Sequence, residues 1–269
     1  MRVAWASDIH LNFPEADTRQ RFYAKLAQWS DAVAVSGDIA ESPSVEQYLL
    51  EMSAQVQKPI FFVLGNHDFY RGSISATRRR IASLAAREPL LTYLTATDVV
   101  ELTPATAIVG HDGWADARLG NSDQWRVIIN DYLRIEDLSQ WRHSDGRPES
   151  LCPLLNELGD EAARHLQNVL TEAARCYHHL LVVTHVPPFR EAAWYKRRPC
   201  DDDWLPHMAC KAAGEVLLDI ARAHPSCILT VFCGHTHGGG HVAIRDNLQV
   251  FTAEADYGRP EIQRIFEVE

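Results

Sequence analysis

Asp8, His10, Asp38, Asn66, His185, His235 and His237 are the side chains whose types and positions could do chemistry together. Each lies at or just after the end of a short apolar run, at residues 3–7, 32–36, 60–64, 180–184 and 227–233. The donors are carboxylates, an amide and imidazoles, with no thiolate. Such a hard-to-borderline set suits Mn, Fe, Zn or similar divalent ions rather than Cu(I) or an iron–sulfur cluster. It has too many donors for one tetrahedral zinc ion. Two divalent metal ions sharing one bridging carboxylate is the economical arrangement. Residues i and i+2 of an extended chain point to the same side. On that ground Asp8 with His10, and His235 with His237, should each aim two groups into one cleft. Gly37, Gly65 and Gly234 immediately precede ligands, where a missing Cβ permits tight turns and close backbone approach.

The elements that must position these groups are legible as apolar runs. Besides the runs above, residues 106–110, 242–245 and 248–252 read as strands, the last two flanking the turn signal Asp246-Asn247 of a hairpin. Most runs are almost wholly apolar, as expected of strands buried on both faces. Helical spacing appears over 18–29, 44–57, 73–87, 157–176 and 207–223. Strand–helix alternation implies an α/β domain with helices covering the sheet. In open α/β sheets ligands bind outside the carboxyl ends of the strands, so five strand ends can converge on one site. One domain over residues 1–269 is expected. Insertions near 116–153 and 187–206 are the expected cap or specificity loops, being long, irregular, polar and aromatic.

Taken in order, D-x-H, G-D, G-N-H-D, H and G-H-x-H, running from Asp8 to His237, resemble the calcineurin-like metallophosphoesterases. The resemblance implies two packed mixed β-sheets flanked by helices, a four-layer αββα sandwich. It implies that Asp38 bridges two metals, with Asp8, His10 and His237 completing one site and Asn66, His185 and His235 the other. It implies in-line attack on phosphorus by a metal-bridging hydroxide, the ions ~3.5–4 Å apart. His67 matches the family residue that helps the leaving oxygen depart, which an imidazolium does by donating a proton. Asp68 beside it is the candidate to orient or charge that ring.

The substrate is narrowed rather than fixed. Protein Ser/Thr phosphatases of this superfamily carry G-D-x-x-D-R-G and G-N-H-E. Here the chain reads Gly37-Asp38-Ile39-Ala40-Glu41-Ser42, and the second motif ends in Asp68. The missing arginine favours the phosphodiesterase-like branch, which acts on cyclic nucleotides, nucleotide pyrophosphates, phospholipid head groups and nucleic-acid ends. The alternatives are a phosphomonoesterase on a small metabolite or nucleotide and, more remotely, a non-catalytic scaffold of the same fold. Candidate substrate contacts are Tyr70 and Arg71 after the G-N-H-D motif, His111 after the 106–110 strand, and Arg197 and Arg198 in the second insertion.

Composition excludes other classes. The net charge of −10 argues against a general binder of long nucleic acid, though not against a small phosphorylated substrate when metal ions invert the local field. No segment approaches the ~18 apolar residues of a membrane span. No secretory leader precedes the first strand, so the cytoplasm is the expected compartment. The six cysteines form no C-x-x-C pair and read as free thiols.

Overall fold

The computed structural model describes residues 1–121, 125, 127–143 and 146–269. Of the turn suggested by Ser144-Asp145-Gly146-Arg147-Pro148, Ser144 and Asp145 lie outside the described residues.

Two mixed sheets face each other. The first contains β1 (Arg2–Ala6), β2 (Ala32–Ser36), β3 (Ile60–Val63) and β4 (Leu91–Tyr93), all parallel, with β13 (Arg264–Glu267) antiparallel on the outer side of β1. The second has the order β11 (Gly238–Arg245), β12 (Leu248–Glu254), β10 (Ile228–Cys233), β7 (His179–Thr184), β6 (Thr106–His111), β5 (Val100–Thr103). Its four central strands are parallel and its two edge strands antiparallel. A two-stranded hairpin, β8 (Trp194–Tyr195) with β9 (Arg198–Pro199), forms a small sheet of its own, with Trp194 against Gly240 of β11.

The apolar runs are continuous because alternate residues bury into different layers. Val3 and Trp5 of β1, Ala32 and Ala34 of β2, and Leu181 and Val183 of β7 meet between the sheets. There Trp5 stacks on Phe232 with ring centroids 5.0 Å apart. The intervening Ala4 and Val33 face the first helical layer, where α1 (Ala16–Trp29), α2 (Val45–Val56) and α3 (Ile74–Ala85) supply Phe22, Leu49 and Ile81. Leu180 and Val182 face α5 (Cys152–Cys176) and α6 (Lys211–Ala223) on the other side. The result is the expected sandwich of helix, sheet, sheet and helix. Trp29, the last residue of α1 and of the helical spacing over 18–29, is 43% exposed. The described residues of 116–153 do not form a detached cap. The short helix α4 (Asp131–Arg134) and the residues after it bury Tyr132, Ile135 and Leu138 in the first helical layer. No helix among the described residues is long and apolar enough to cross a membrane.

Candidate metal centre and its cleft

The parallel strands β1, β2, β3, β7 and β10 end on one side of the sandwich, and the turns that follow them are knitted together by backbone hydrogen bonds. Asp8 N–H donates to Gly37 O at 3.0 Å, His10 N–H to Asp38 O at 2.9 Å, and Gly234 N–H to His185 O at 2.8 Å. The turns are sharp. Asp8, His10, Asp38, His235 and His237 all have positive φ, between 39° and 69°. The extended-chain rule therefore does not explain how Asp8 and His10 come to face one cleft. Each residue takes a left-handed kink, and Ile9 between them is buried in the core. Asp and His tolerate this region better than branched residues. Holding such conformations costs about 1 kcal/mol or more apiece, and they persist where the surroundings over-determine them, as at functional sites. Glycines let the turns close. A Cβ at Gly65 would collide with the Asp38 carboxylate, and one at Gly234 with that of Asp8.

The side chains converge as two groups. Asp8, His10, Asp38 and His237 bring one donor atom each within 4.8 Å of one another. His10 Nε2 lies 3.4 Å from His237 Nε2 and 3.7 Å from Asp38 Oδ2, and His237 Nε2 lies 3.2 Å from Asp8 Oδ1. On the other side of Asp38, His185 Nε2 and His235 Nδ1 lie 2.8 and 2.9 Å from Asn66 Oδ1, and His185 Nε2 is 3.4 Å from Asp38 Oδ1.

This arrangement fits cations. His185 Nδ1 lies 2.8 Å from the Ser36 carbonyl, and His235 Nε2 lies 2.9 Å from the His207 carbonyl. Those carbonyls can only accept, so each ring's proton sits on that nitrogen. In the neutral rings the opposite nitrogens are then bare lone pairs aimed at an amide oxygen that also only accepts. Protonating His185 does not relieve the clash, because burial lowers its pKa to about 4. A shared divalent cation satisfies all three atoms at once. The Asp38 carboxyl says the same. Burial, with the charges of Asp8, Asp68 and Asp131, drives the Asp38 carboxyl well above the ordinary carboxylate range. The His237 pKa is raised as well: burial opposes its charge, but the hydrogen bond and charge of Asp8 outweigh it. A bound metal ion would invert the repulsion around Asp38.

The supporting residues include several that spacing could not reveal. Asp131 in α4 is buried and accepts from Asn66 Nδ2 at 2.8 Å and from the Tyr70 hydroxyl at 2.7 Å. Holding the amide nitrogen fixes which way Asn66 turns its oxygen. Tyr132, next to it, hydrogen-bonds His207 Nδ1 at 2.7 Å, behind the carbonyl that orients His235. The one hint in the sequence was the aromatic content of an otherwise polar segment. Thr236, between two ligands, lines the cleft with a buried hydroxyl that has no partner.

Other expected site residues divide. His67 lines the cleft, stacks on Tyr70 with centroids 4.2 Å apart, and donates its backbone N–H to Asp38 Oδ1 at 2.8 Å. Burial, then the nearby His10, His185 and His237, push its pKa far down, so an imidazolium at neutral pH is not its resting form. Asp68 does not orient it. The Asp68 carboxylate is buried on the backbone N–H groups of Ile39, Ala40 and Gly65, at 3.2, 2.7 and 2.8 Å, and braces the turns instead. His67 Nδ1 has no partner. Tyr70 is buried beneath His67 rather than at the cleft edge. Arg71 points outward and pairs with Glu41. His111 is buried against His165 and takes the Gly113 N–H at 3.1 Å, away from the cleft. Arg198 lines the cleft, whereas Arg197 reaches out to Glu254 at 3.2 Å.

The family model for calcineurin-like phosphoesterases matches residues 1–239. The chain belongs to that family. Solved structures agree on the fold. A phosphopantetheinyl hydrolase from Mycobacterium tuberculosis superposes with a TM-score of 0.65 at 13% identity, over 96% of this chain and 90% of that one. A dimetal phosphatase from Danio rerio gives 0.57 at 17% identity, over 94% and 87%. The anchor of the inner membrane complex of Plasmodium gives 0.50 at 12% identity, over 94% and 71%. At such identities these likenesses show the fold alone. No curated protein matches the chain in sequence. Within the calcineurin-like phosphoesterase family, the group around Asp38 is this chain's candidate metal centre.

Proposed function

We propose that the protein is a hydrolase of small phosphoesters that uses two divalent ions, Mn, Fe or Zn, and prefers diesters. The observation that carries this is the pair of donor groups flanking Asp38, with bare imidazole nitrogens facing oxygen acceptors at 2.8 and 2.9 Å. Asp8, His10 and His237 would hold one ion, Asn66, His185 and His235 the other, and Asp38 both. Two such ions supply an acidic water and a clamp for phosphoryl oxygens.

The chain's own groups do the rest. His67 stands over Asp38 at the cleft floor, with its Nε2 3.4 Å from the Tyr257 hydroxyl. From there it can share a proton with the leaving oxygen, and an anionic phosphoryl group alongside would favour the protonated ring. Tyr70 beneath fixes the ring plane. Arg198 is the only Lys or Arg among the described residues lining the cleft, and Asp201 stands in the same wall. That balance favours the single charge of a diester over the double charge of a monoester.

Hydrolysis of bis-(p-nitrophenyl) phosphate beside p-nitrophenyl phosphate, with Mn or with chelator, tests the proposal. Chelator-sensitive turnover, faster on the diester and lost in Asp38→Ala, is the expected result. Equal or better turnover of the monoester would reverse the preference, and no turnover with any of the three metals would remove the hydrolase assignment.

A further inference from the structure

The cleft above the ligands is too large and too aromatic for a phosphoryl group alone. It encloses about 550 Å³, within the range of pockets that take drug-sized organic molecules. One end is floored by Asp38, Asn66, His67 and His235. The other is walled by residues that follow β7, among them Tyr195, Pro199, Trp204 and Met208. The Tyr195 and Trp204 rings lie within 15° of parallel with centroids 6.3 Å apart, and remain 50% and 42% exposed.

The distribution of exposed rings is lopsided. Among the described residues, the large exposed aromatics are Phe13, Trp29, Tyr195, Trp204 and Tyr257. Tyr195, Trp204 and Tyr257 line this one cleft. Phe13 packs on Tyr257 at 4.9 Å, leaving only Trp29 elsewhere. Rings left half in water and clustered around a concave site mark a binding surface. Flat faces set nearly parallel suit a flat partner. A polyol would ask for more hydrogen-bond partners than Arg198 and Asp201 provide in that wall.

From this we infer that the organic group of the ester carries a planar aromatic ring, which lies against Tyr195 and Trp204 while the phosphoryl group sits over Asp38. The inference rests on the hydrolase assignment above for the position of the phosphoryl group, but it is read out by binding.

Isothermal titration of the metal-loaded protein with phenylphosphonate and with methylphosphonate, neither of which it can hydrolyse as an ester, gives the ratio of the two affinities. Phenylphosphonate should bind roughly 3–10-fold more tightly, the range expected of one aromatic contact. Trp204→Ala and Tyr195→Ala should each bring that ratio toward one, while Trp29→Ala, the exposed aromatic elsewhere, should leave it unchanged. A ratio near one in the unaltered protein overturns the inference. So does a ratio that survives both wall substitutions, or the failure of both phosphonates to bind. Failure of the hydrolase assignment would show separately, as an absence of chelator-sensitive turnover.

Discussion

The floor and the wall of the cleft are built by different means. The floor consists of short turns at the ends of parallel strands, where ligand after ligand sits in a left-handed backbone conformation over-determined by cross-turn hydrogen bonds. The wall belongs to the segment after β7 and is held by a two-stranded hairpin and ring contacts. Asp131, the support behind the floor, comes from a third place, the short helix of the 116–153 segment. The contrast teaches that this molecule separates chemistry from selection. On the proposed function, the floor would fix where phosphorus goes and the more exposed wall what hangs from it. The two long irregular segments, expected to share the second task, divide instead. Tyr195, Arg198 and Trp204 of 187–206 line the cleft, whereas Asp131 and Tyr132 of 116–153 stand behind the ligands.

Removing a floor residue should have the largest effect. Asp38→Ala takes a donor from both groups. Metal content measured by plasma mass spectrometry should fall from about two ions per chain toward none. Turnover should drop by more than the ~10–100-fold typical of a supporting residue. Retention of two ions would break the assignment of Asp38 as the shared ligand.

Asp131 comes next. Asp131→Ala frees the Asn66 amide to rotate, so affinity for one ion should fall ~10–100-fold while the ion at Asp8, His10 and His237 stays. Asp131→Asn keeps an oxygen that can accept from one of its two donors, and should lose less. A stoichiometry near one ion for Asp131→Ala at limiting metal is the expected signature. An unchanged stoichiometry would show that Asn66 needs no support.

The floor should also make metal binding and stability depend on pH together. In the metal-free protein the Asp38 carboxyl is raised by burial and neighbouring carboxylates, and Asp68 is raised by burial to about 7. A group whose folded pKa exceeds its unfolded value contributes stability that is present below the unfolded pKa and lost as pH rises through the folded one. The buried histidines act in the opposite sense. His10 and His185 are lowered by burial to about 3 and 4, so their contribution is present above the unfolded value of 6.5 and lost as pH falls. Above pH ~6.5 the terms that still change are those of the raised carboxylates and of His237, whose raised pKa acts in the same sense. From there to pH ~8.5, the metal-free Tm should decline by roughly 2–4 °C per pH unit for each carboxylate titrating. The ion-loaded protein should lose less, because ions bind the deprotonated Asp38 carboxylate and cancel its share of the decline. Parallel Tm curves with and without metal would sink the claim that a cation relieves Asp38.

How much of this was legible in the sequence follows the same division. The strands that feed the floor are apolar on both faces, so β2 emerges with the bounds its composition indicated and β7 and β10 within a residue. The strands missed are β4, β5 and β13 and the hairpin β8–β9. They are short, at sheet edges or outside the sheets, and mixed in polarity, so pairing rather than composition makes them strands. Helix α5 starts at Cys152, earlier than its apolar period suggests, with Pro153 in its first turn, where a missing N–H costs nothing. Among the side chains, type and order marked out the group that converges on Asp38. Single candidates picked for lying near a motif fared worse, because chain neighbours diverge at a sharp turn. His67 faces the cleft while Asp68 braces the backbone, and Tyr70 is buried while Arg71 points outward. Asp131 bonds to Asn66 across 65 positions of chain, a relation that no local pattern encodes.

The smallest effect is expected where the wall gives out. Arg197 and Arg198 are adjacent and look alike in the sequence, but Arg198 lines the cleft and Arg197 sits 79% exposed, paired at 3.2 Å with a Glu254 that is 60% exposed. An exposed ion pair of this kind contributes ~0–1 kcal/mol. Arg197→Ala should therefore shift Tm by no more than about 3 °C and leave KM for bis-(p-nitrophenyl) phosphate within about twofold. Arg198→Ala removes the lining cation and should raise KM several-fold with less change in kcat, as loss of uniform binding does. Steady-state kinetics of the two variants side by side decide the matter. If Arg197→Ala raised KM as much as Arg198→Ala, charge near the cleft would matter more than placement in its wall, and the division between floor and wall would need a third, long-range electrostatic component.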